Sequence, residues 1–211
     1  MIKTNLNTQS GRSMIEMLGV LAIVGVLSVG GIAGYSKAMT KFKINKTAEQ
    51  VSQIVANMRT LYAQQTSYGS FYTDDAIKMG VIPDNLTTTN SYPHVTNAFN
   101  GKVTVMSGFD ETIFLVRFES LPKEACVSLA TQDWGSESSA GLIAISIGDN
   151  YETGPQFSYK GNCSNYNSYN NMYTLACPGD QNNPTPINVA TAANACSQCE
   201  TYGCSISWVF K

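Results

Sequence analysis

The chain has 211 residues, 43% of them hydrophobic, and a formal charge of -2 at neutral pH. That length accommodates one ordinary globular domain plus an appendage, and the composition is neither that of a disordered chain nor that of a collagen. The near-neutral balance supplies no basic field and there is no zinc-finger or RNA-binding signature, so nucleic acid is not expected as a main partner.

Near the N-terminus, residues 17–36 (MLGVLAIVGVLSVGGIAGYS) carry no charge. As a helix rising 1.5 Å per residue they reach about 30 Å, enough to cross the hydrocarbon of a bilayer. No A-x-A-like site follows this run, so any processing is expected before it. Glu16 stands at the edge of the run, where a carboxylate is costly unless it is paired or reaches the interface. From Lys41 to about Gln65 the pattern changes: Ile44, Ala48, Val51, Val55, Met58 and Tyr62 recur at steps of three and four. This predicts an amphipathic helix continuing the apolar one without a Pro, its stripe facing a head domain. Lys37, Lys41, Lys43 and Lys46 follow the apolar run and outnumber Lys3 and Arg12 before it, which on charge alone places the C-terminal side in the cytoplasm. The cysteine content argues for an exported head instead, with the four lysines expected against anionic headgroups or acidic faces of neighbouring subunits.

Residues 74–80 (DDAIKMG) predict a short helix with an acidic start and a Gly stop, and residues 87–97 read as loop. Strands are predicted at 101–106, 112–118, 142–147 and 205–210, with Pro122 opening a helix over 124–131. The expected fold is α+β, a long N-terminal helix packed on a small antiparallel sheet with a disulfide-bonded C-terminal region.

All six cysteines (Cys126, Cys163, Cys177, Cys196, Cys199 and Cys204) fall in the C-terminal part, in a stretch rich in Asn, Gly, Ser and Tyr. An even number in such a setting predicts disulfides and therefore an oxidising compartment, although sequence alone does not choose the connectivity. Cys196-Ser-Gln-Cys199 with Cys204 also suits zinc or thiol exchange. With His94 as the single histidine and no second close Cys pair, no metal site, cofactor or catalytic set is assigned. The acidic pairs Asp74-Asp75, Asp110-Glu111 and Asp149 with Glu152 read as solvated turns, lacking EF-hand spacing. The Tyr- and Asn-rich residues 151–173 suit either an adaptable contact surface or a hydrated loop.

Residues 10–20 (SGRSMIEMLGV) resemble the prepilin cleavage motif of type IV pilins, in which a Gly precedes the cut and a Glu is the fifth residue after it. The resemblance implies cleavage after Gly11 by a prepilin peptidase on the cytoplasmic side, N-methylation of the new terminus Arg12, and pairing of Glu16 with the terminal amine of a neighbouring subunit in a filament core. The sequence departs from the family in having Arg12 where an apolar residue is usual and Ala33 where many pilins have a helix-bending Pro. Gly30, Gly31 and Gly34 supply either a bend or a surface for close helix packing.

Residues 121–126 (LPKEAC) with Leu129 and Trp134, and Ala195-Cys196 with Ile206-Ser207-Trp208-Val209-Phe210, are similar to type IVb pilins of the PilS kind. There the likeness implies a bond from Cys126 to Cys196. The two further pairs expected are Cys163–Cys177 and Cys199–Cys204. The implied organisation is a leader at 1–11, a transmembrane and filament-core helix at 12–36, its amphipathic continuation at 37–65 and a pilin head at 66–211. The function implied is that of a non-enzymatic subunit of an extracellular homo-oligomeric filament for adhesion, aggregation or motility, made from an inner-membrane precursor by the pilus assembly machinery and able to meet a host or cell-surface receptor. A minor pilin or type II secretion pseudopilin is the alternative within the family, and a membrane-anchored periplasmic redox protein or enzyme is the alternative outside it.

Overall fold

The computed structural model describes residues 14–91, 94–108, 111–135, 141–149, 172–182, 184–199 and 203–211. Contacts divide the chain into two units, residues 1–40 and residues 41–211. Helix α1 is continuous over Met14–Leu61, and its two portions follow different rules. In the first unit every described side chain up to Ala38 is exposed, as expected for a segment apolar on all sides. In the second unit the helix buries Ile44, Thr47, Gln50, Val51, Ile54, Val55 and Met58, one face at helical spacing. Ala48 and Tyr62 of the predicted stripe pack at its margin. The helix closes at Leu61, short of the expected Gln65, and a turn from Gln65 N to Tyr62 O follows.

The second unit is built on a five-stranded antiparallel sheet in the order β3-β4-β7-β5-β6. Its strands are β3 (Val103–Ser107), β4 (Phe114–Leu121), β5 (Leu142–Asp149), β6 (Met172–Ala176) and β7 (Cys204–Phe210). A two-stranded ladder, β1 (Thr87–Thr88) with β2 (Val95–Thr96), lies in the stretch expected to be loop. It is closed by Thr89 N donating to His94 O at 2.8 Å. Four β-branched residues make up that ladder, a composition that favours extended backbone. Helices α2 (Thr73–Lys78), α3 (Lys123–Ala130) and α4 (Val189–Ser197) complete the unit.

Alternation sorts the strand side chains. Phe114, Val116 and Phe118 of β4, Ile206, Trp208 and Phe210 of β7, and Ile145 and Ile147 of β5 share the main core with Val51, Ile54 and Met58 of α1 and with Leu129 of α3. A smaller cluster on the other face contains Leu115, Ile143 and Val209. Register places Arg117, Ser207 and Ser146 side by side across β4, β7 and β5, so this second face also carries a buried polar row. Arg117 Nη2 donates to Asp149 O at 3.1 Å, and its Nε lies 3.4 Å from a carboxylate oxygen of Glu119. These contacts make a buried guanidinium tolerable.

The turn at residues 97–101 depends on two particular residues. Asn97 is buried; its side chain donates to Glu119 O at 2.8 Å and accepts from the backbone N–H of Phe99 and Gly101 at 2.8 and 3.0 Å. A Cβ at Gly101 would fall 1.7 Å from Glu119 O, so only glycine fits where this turn crosses β4.

Trp208 is fully buried at the centre of the sheet, with ring centroids 4.9 Å from Trp134 and 6.0 Å from Phe118. Its indole N–H has no partner among the described residues. Trp208→Ala is expected to lower head stability by about 3–5 kcal/mol. Trp208→Phe keeps a ring in place and removes the unpartnered donor, so its cost is expected to be markedly smaller. Denaturant unfolding of the full chain in detergent, followed by near-UV circular dichroism, checks the order of the two; equal losses would show that ring contacts are not what holds this site.

Candidate functional site

Two features carry the chemistry expected of this sequence: the apolar start of α1 and the cysteines of the head. The first unit contains a helical stretch whose best window has a mean hydropathy of 2.2 and is 0% buried within the chain, long and apolar enough to cross a membrane. Ile15, Leu18, Leu21, Ile23, Val26, Leu27, Val29 and Ile32 are each more than three-fifths exposed. Glu16 lies in the first turn, where the partial positive charge of the helix start favours a carboxylate. Gly19, Gly25, Gly30, Gly31 and Gly34 have nothing from the rest of the chain near the position of a Cβ, so packing inside this chain does not require their smallness. Gly11 and Arg12 lie outside the described residues.

In the head, α3 and α4 are joined by a bond from Cys126 to Cys196, with a Cα separation of 6.0 Å. Pro122, which donates no N–H, stands at the N-cap of α3, and α4 is capped by Asn188, whose side chain accepts from Thr191 N at 2.8 Å. Lys123 Nζ donates to Ser197 O at 3.4 Å, placing a cation at the negative end of α4. The second bond joins Cys199, just past α4, to Cys204 at the start of β7. Cys177 is also disulfide-bonded, whereas Cys163 lies outside the described residues. The Sγ atoms of Cys126, Cys196 and Cys204 lie within 4.8 Å of one another, but none of the described cysteines is free to act as a thiolate ligand.

The remaining singled-out residues have local roles. Lys43 covers the ring of Phe99 at 5.6 Å, so it packs on its own head and is not left pointing to a headgroup. His94 Nε2 lies 3.7 Å from Asp74 Oδ1, joining the β1–β2 ladder to α2. Asp75 caps α2: its carboxylate accepts from Tyr72 N and from Lys78 Nζ, both at 3.3 Å. The Tyr72 backbone hydrogen bond, followed by Lys78, holds its pKa below the ordinary carboxylate value. Glu111 forms a turn with a positive φ of 55°, and Tyr68 N donates to its carbonyl at 2.7 Å. Asp110, Glu152 and the greater part of residues 151–173 lie outside the described residues. Asn97, Arg117 and Asn188 were not singled out in the sequence. Of these, Asn188 had a readable signal, an Asn directly before an Ala-rich run.

A family model described as PilS N terminal matches residues 41–208. The chain belongs to the PilS family. It is a type IVb pilin, a non-enzymatic structural protein. Two curated relatives, each named "Major structural subunit of bundle-forming pilus", come from Escherichia coli O111:H- and from Escherichia coli O127:H6 (strain E2348/69 / EPEC). Each is 28% identical over 200 residues, covering 93% of this chain and 92% of the relative. Among solved structures, TcpA, a type IV pilin from Vibrio cholerae El Tor biotype, is similar at 9% identity with a TM-score of 0.45 over 80% of this chain and 99% of that one.

The two bridges described for this PilS-family head, Cys126–Cys196 and Cys199–Cys204, differ in what they constrain. Cys126–Cys196 closes a sequence separation of 70, and Cys199–Cys204 one of 5. In the chain-entropy picture these correspond to about 4 and about 2 kcal/mol. Cys126→Ser/Cys196→Ser is therefore expected to shift the denaturant midpoint about twice as far as Cys199→Ser/Cys204→Ser; an equal or reversed order would mean native packing, not loop closure, sets the effect. A separate expectation concerns pH. Because the Asp75 pKa is depressed on folding, its contribution is present above the unfolded value and is lost as pH falls through the lower folded one. The protection of the α2 amides relative to their intrinsic exchange should fall only below about pH 4, and Asp75→Asn should abolish that acid dependence.

Proposed function

We propose that this pilin is the structural subunit of an extracellular filament, polymerising through residues 14–36 of α1 while the cross-linked head faces solvent. The observation that carries this reading is the uncovered apolar helix. Each large aliphatic side chain left in water forgoes about 1.5–3 kcal/mol of burial, so this segment requires lipid before assembly and other copies of itself afterwards. The relatives named as major subunits of a bundle-forming pilus support the same role.

The processing reading follows. Cleavage after Gly11 by a prepilin peptidase leaves Arg12 as the new N-terminus, with Glu16 as the fifth residue, and separates the leader (1–11) from the core helix (12–36), its continuation (37–65) and the head (66–211). In a filament core Glu16 offsets the charge of a neighbour's terminal amine, since each alone is costly in an apolar setting and the pair together fixes axial register. The precursor waits in the inner membrane with its head exported, where disulfides form. Assembly machinery, methylation of Arg12 and a surface receptor belong to the same reading.

Intact mass of the subunit from sheared cell-surface material checks it. The expected mass begins at Arg12 and, after reduction and alkylation, rises in step with six cysteines. A full-length chain confined to the membrane fraction would overturn the processing and filament reading. Glu16→Ala is expected to leave the precursor stable and cleaved but to reduce surface filaments severely. Wild-type filament yield from that variant would remove Glu16 from assembly.

A further inference from the structure

The two described disulfides are neighbours as well as staples. Four cysteines from α3, the end of α4, the segment after it and the start of β7 meet in one place. Cys204 Sγ lies within 4.8 Å of both Cys126 Sγ and Cys196 Sγ, and 3.5 Å from the carbonyl oxygen of Cys196. Cys126, Cys196 and Cys204 are completely buried, whereas Cys199 retains 5% exposure. Cys199 is therefore the one residue of the four that a dithiol can meet without opening the core, and the sulfur it would expel is the one set against the inner bridge.

We propose that these four cysteines form a thiol-exchange relay, through which a small or protein dithiol opens the fully buried Cys126–Cys196 bridge by way of Cys199–Cys204. In the first step a thiolate of the dithiol attacks Cys199 Sγ, forming a mixed disulfide and releasing Cys204 as a thiolate. Cys204 then attacks Cys196 Sγ, forming Cys196–Cys204 and releasing Cys126 as a thiolate, which takes up a proton. The second thiol of the dithiol attacks the mixed disulfide, leaving as a cyclic or protein disulfide and freeing Cys199. Two electrons enter, the dithiol is oxidised, and the cluster keeps one disulfide with thiols at Cys126 and Cys199. Exchange of this kind requires a thiolate close to a disulfide sulfur, and the cluster supplies that proximity within the native fold.

The exchange alters what is cross-linked. Native Cys126–Cys196 ties α3 to α4 across 70 residues, while the product Cys196–Cys204 ties α4 to β7 across eight, as the numbering of the two residues gives. Long-range closure is lost although only one dithiol has been spent, and that at the outer bridge. The relay is thus a site at which a dithiol reagent or an oxidoreductase with a Cys-x-x-Cys active site would soften the head without unfolding it first. It does not rest on the filament reading and is tested on the isolated chain.

The experiment treats full-length protein in detergent with a limiting amount of dithiothreitol under native conditions, quenches by acid, alkylates free thiols with N-ethylmaleimide and maps the linked peptides. The expected early product carries the label on Cys126 and Cys199 and contains the Cys196–Cys204 linkage. Label on Cys199 and Cys204 with Cys126–Cys196 intact would overturn the relay. The variant Cys199→Ser/Cys204→Ser gives an independent reading. Without the relay, opening Cys126–Cys196 requires exposing the buried core, so its reduction is expected to slow by about tenfold or more relative to wild type. Reduction at the wild-type rate in that variant would also overturn the proposal.

Discussion

An unbroken apolar surface on the first part of α1 is the constraint from which the rest follows. Residues 17–36 hold no charge, and each of them is exposed. Further along the same helix the composition changes to one apolar face and one polar face, and there Val51, Ile54 and Met58 are completely buried. One helix thus answers two solvents. A uniformly apolar surface demands lipid or like helices, whereas a stripe demands a single packed partner, which the sheet provides. The division between the units falls close to this change of pattern.

The head must then be stable outside the cytoplasm despite much loop. Its core is drawn from one sheet face, the stripe of α1 and the short helices α2, α3 and α4. The helices are individually too short to persist alone, and they are held by devices at their ends: Asp75 for α2, Pro122 for α3, Asn188 and Lys123 for α4. The disulfides complete this by tying α3 to α4 and the end of α4 to β7. Sulfur here replaces hydrophobic area that short helices do not supply.

Elements with a strong period were legible in the sequence. The stripe of α1, the alternating TIFLVRF and SISWVF runs and the Pro-led start of α3 announced themselves because burial on one face imposes a repeat. β4 and β5 extend beyond their predicted ends, Phe114–Leu121 against 112–118 and Leu142–Asp149 against 142–147; in β4 the pairing resumes at Leu121 after a break in register at Glu119 and Ser120, polar residues that no hydrophobic pattern marks. β6 is five residues with no alternation long enough to read, attached to a Tyr- and Asn-rich stretch. α4 is made of Ala, Thr, Asn and Ser, so its sequence resembles a loop and its burial comes from close approach of small residues to α3. Of the candidate site, the cysteines were legible as disulfide partners from their even number and setting. The meeting of four cysteines was not, because it depends on how α3, α4 and β7 converge, which spacing along the chain does not encode.

The last strand of the chain is also the middle strand of the sheet. β7 pairs with β4 on one side and β5 on the other, and all seven of its residues are buried. The two halves of the sheet, β3-β4 and β5-β6, therefore share no strand pairing and are joined as a ladder only by β7, with the Arg117 side chain reaching across to Asp149 O. Until the C-terminus has been delivered to the same compartment as everything before it, the head lacks its keystone, and the partial chain exposes two open strand edges instead of one closed core. A competent head thus requires β7 in the same compartment as the two strands that flank it.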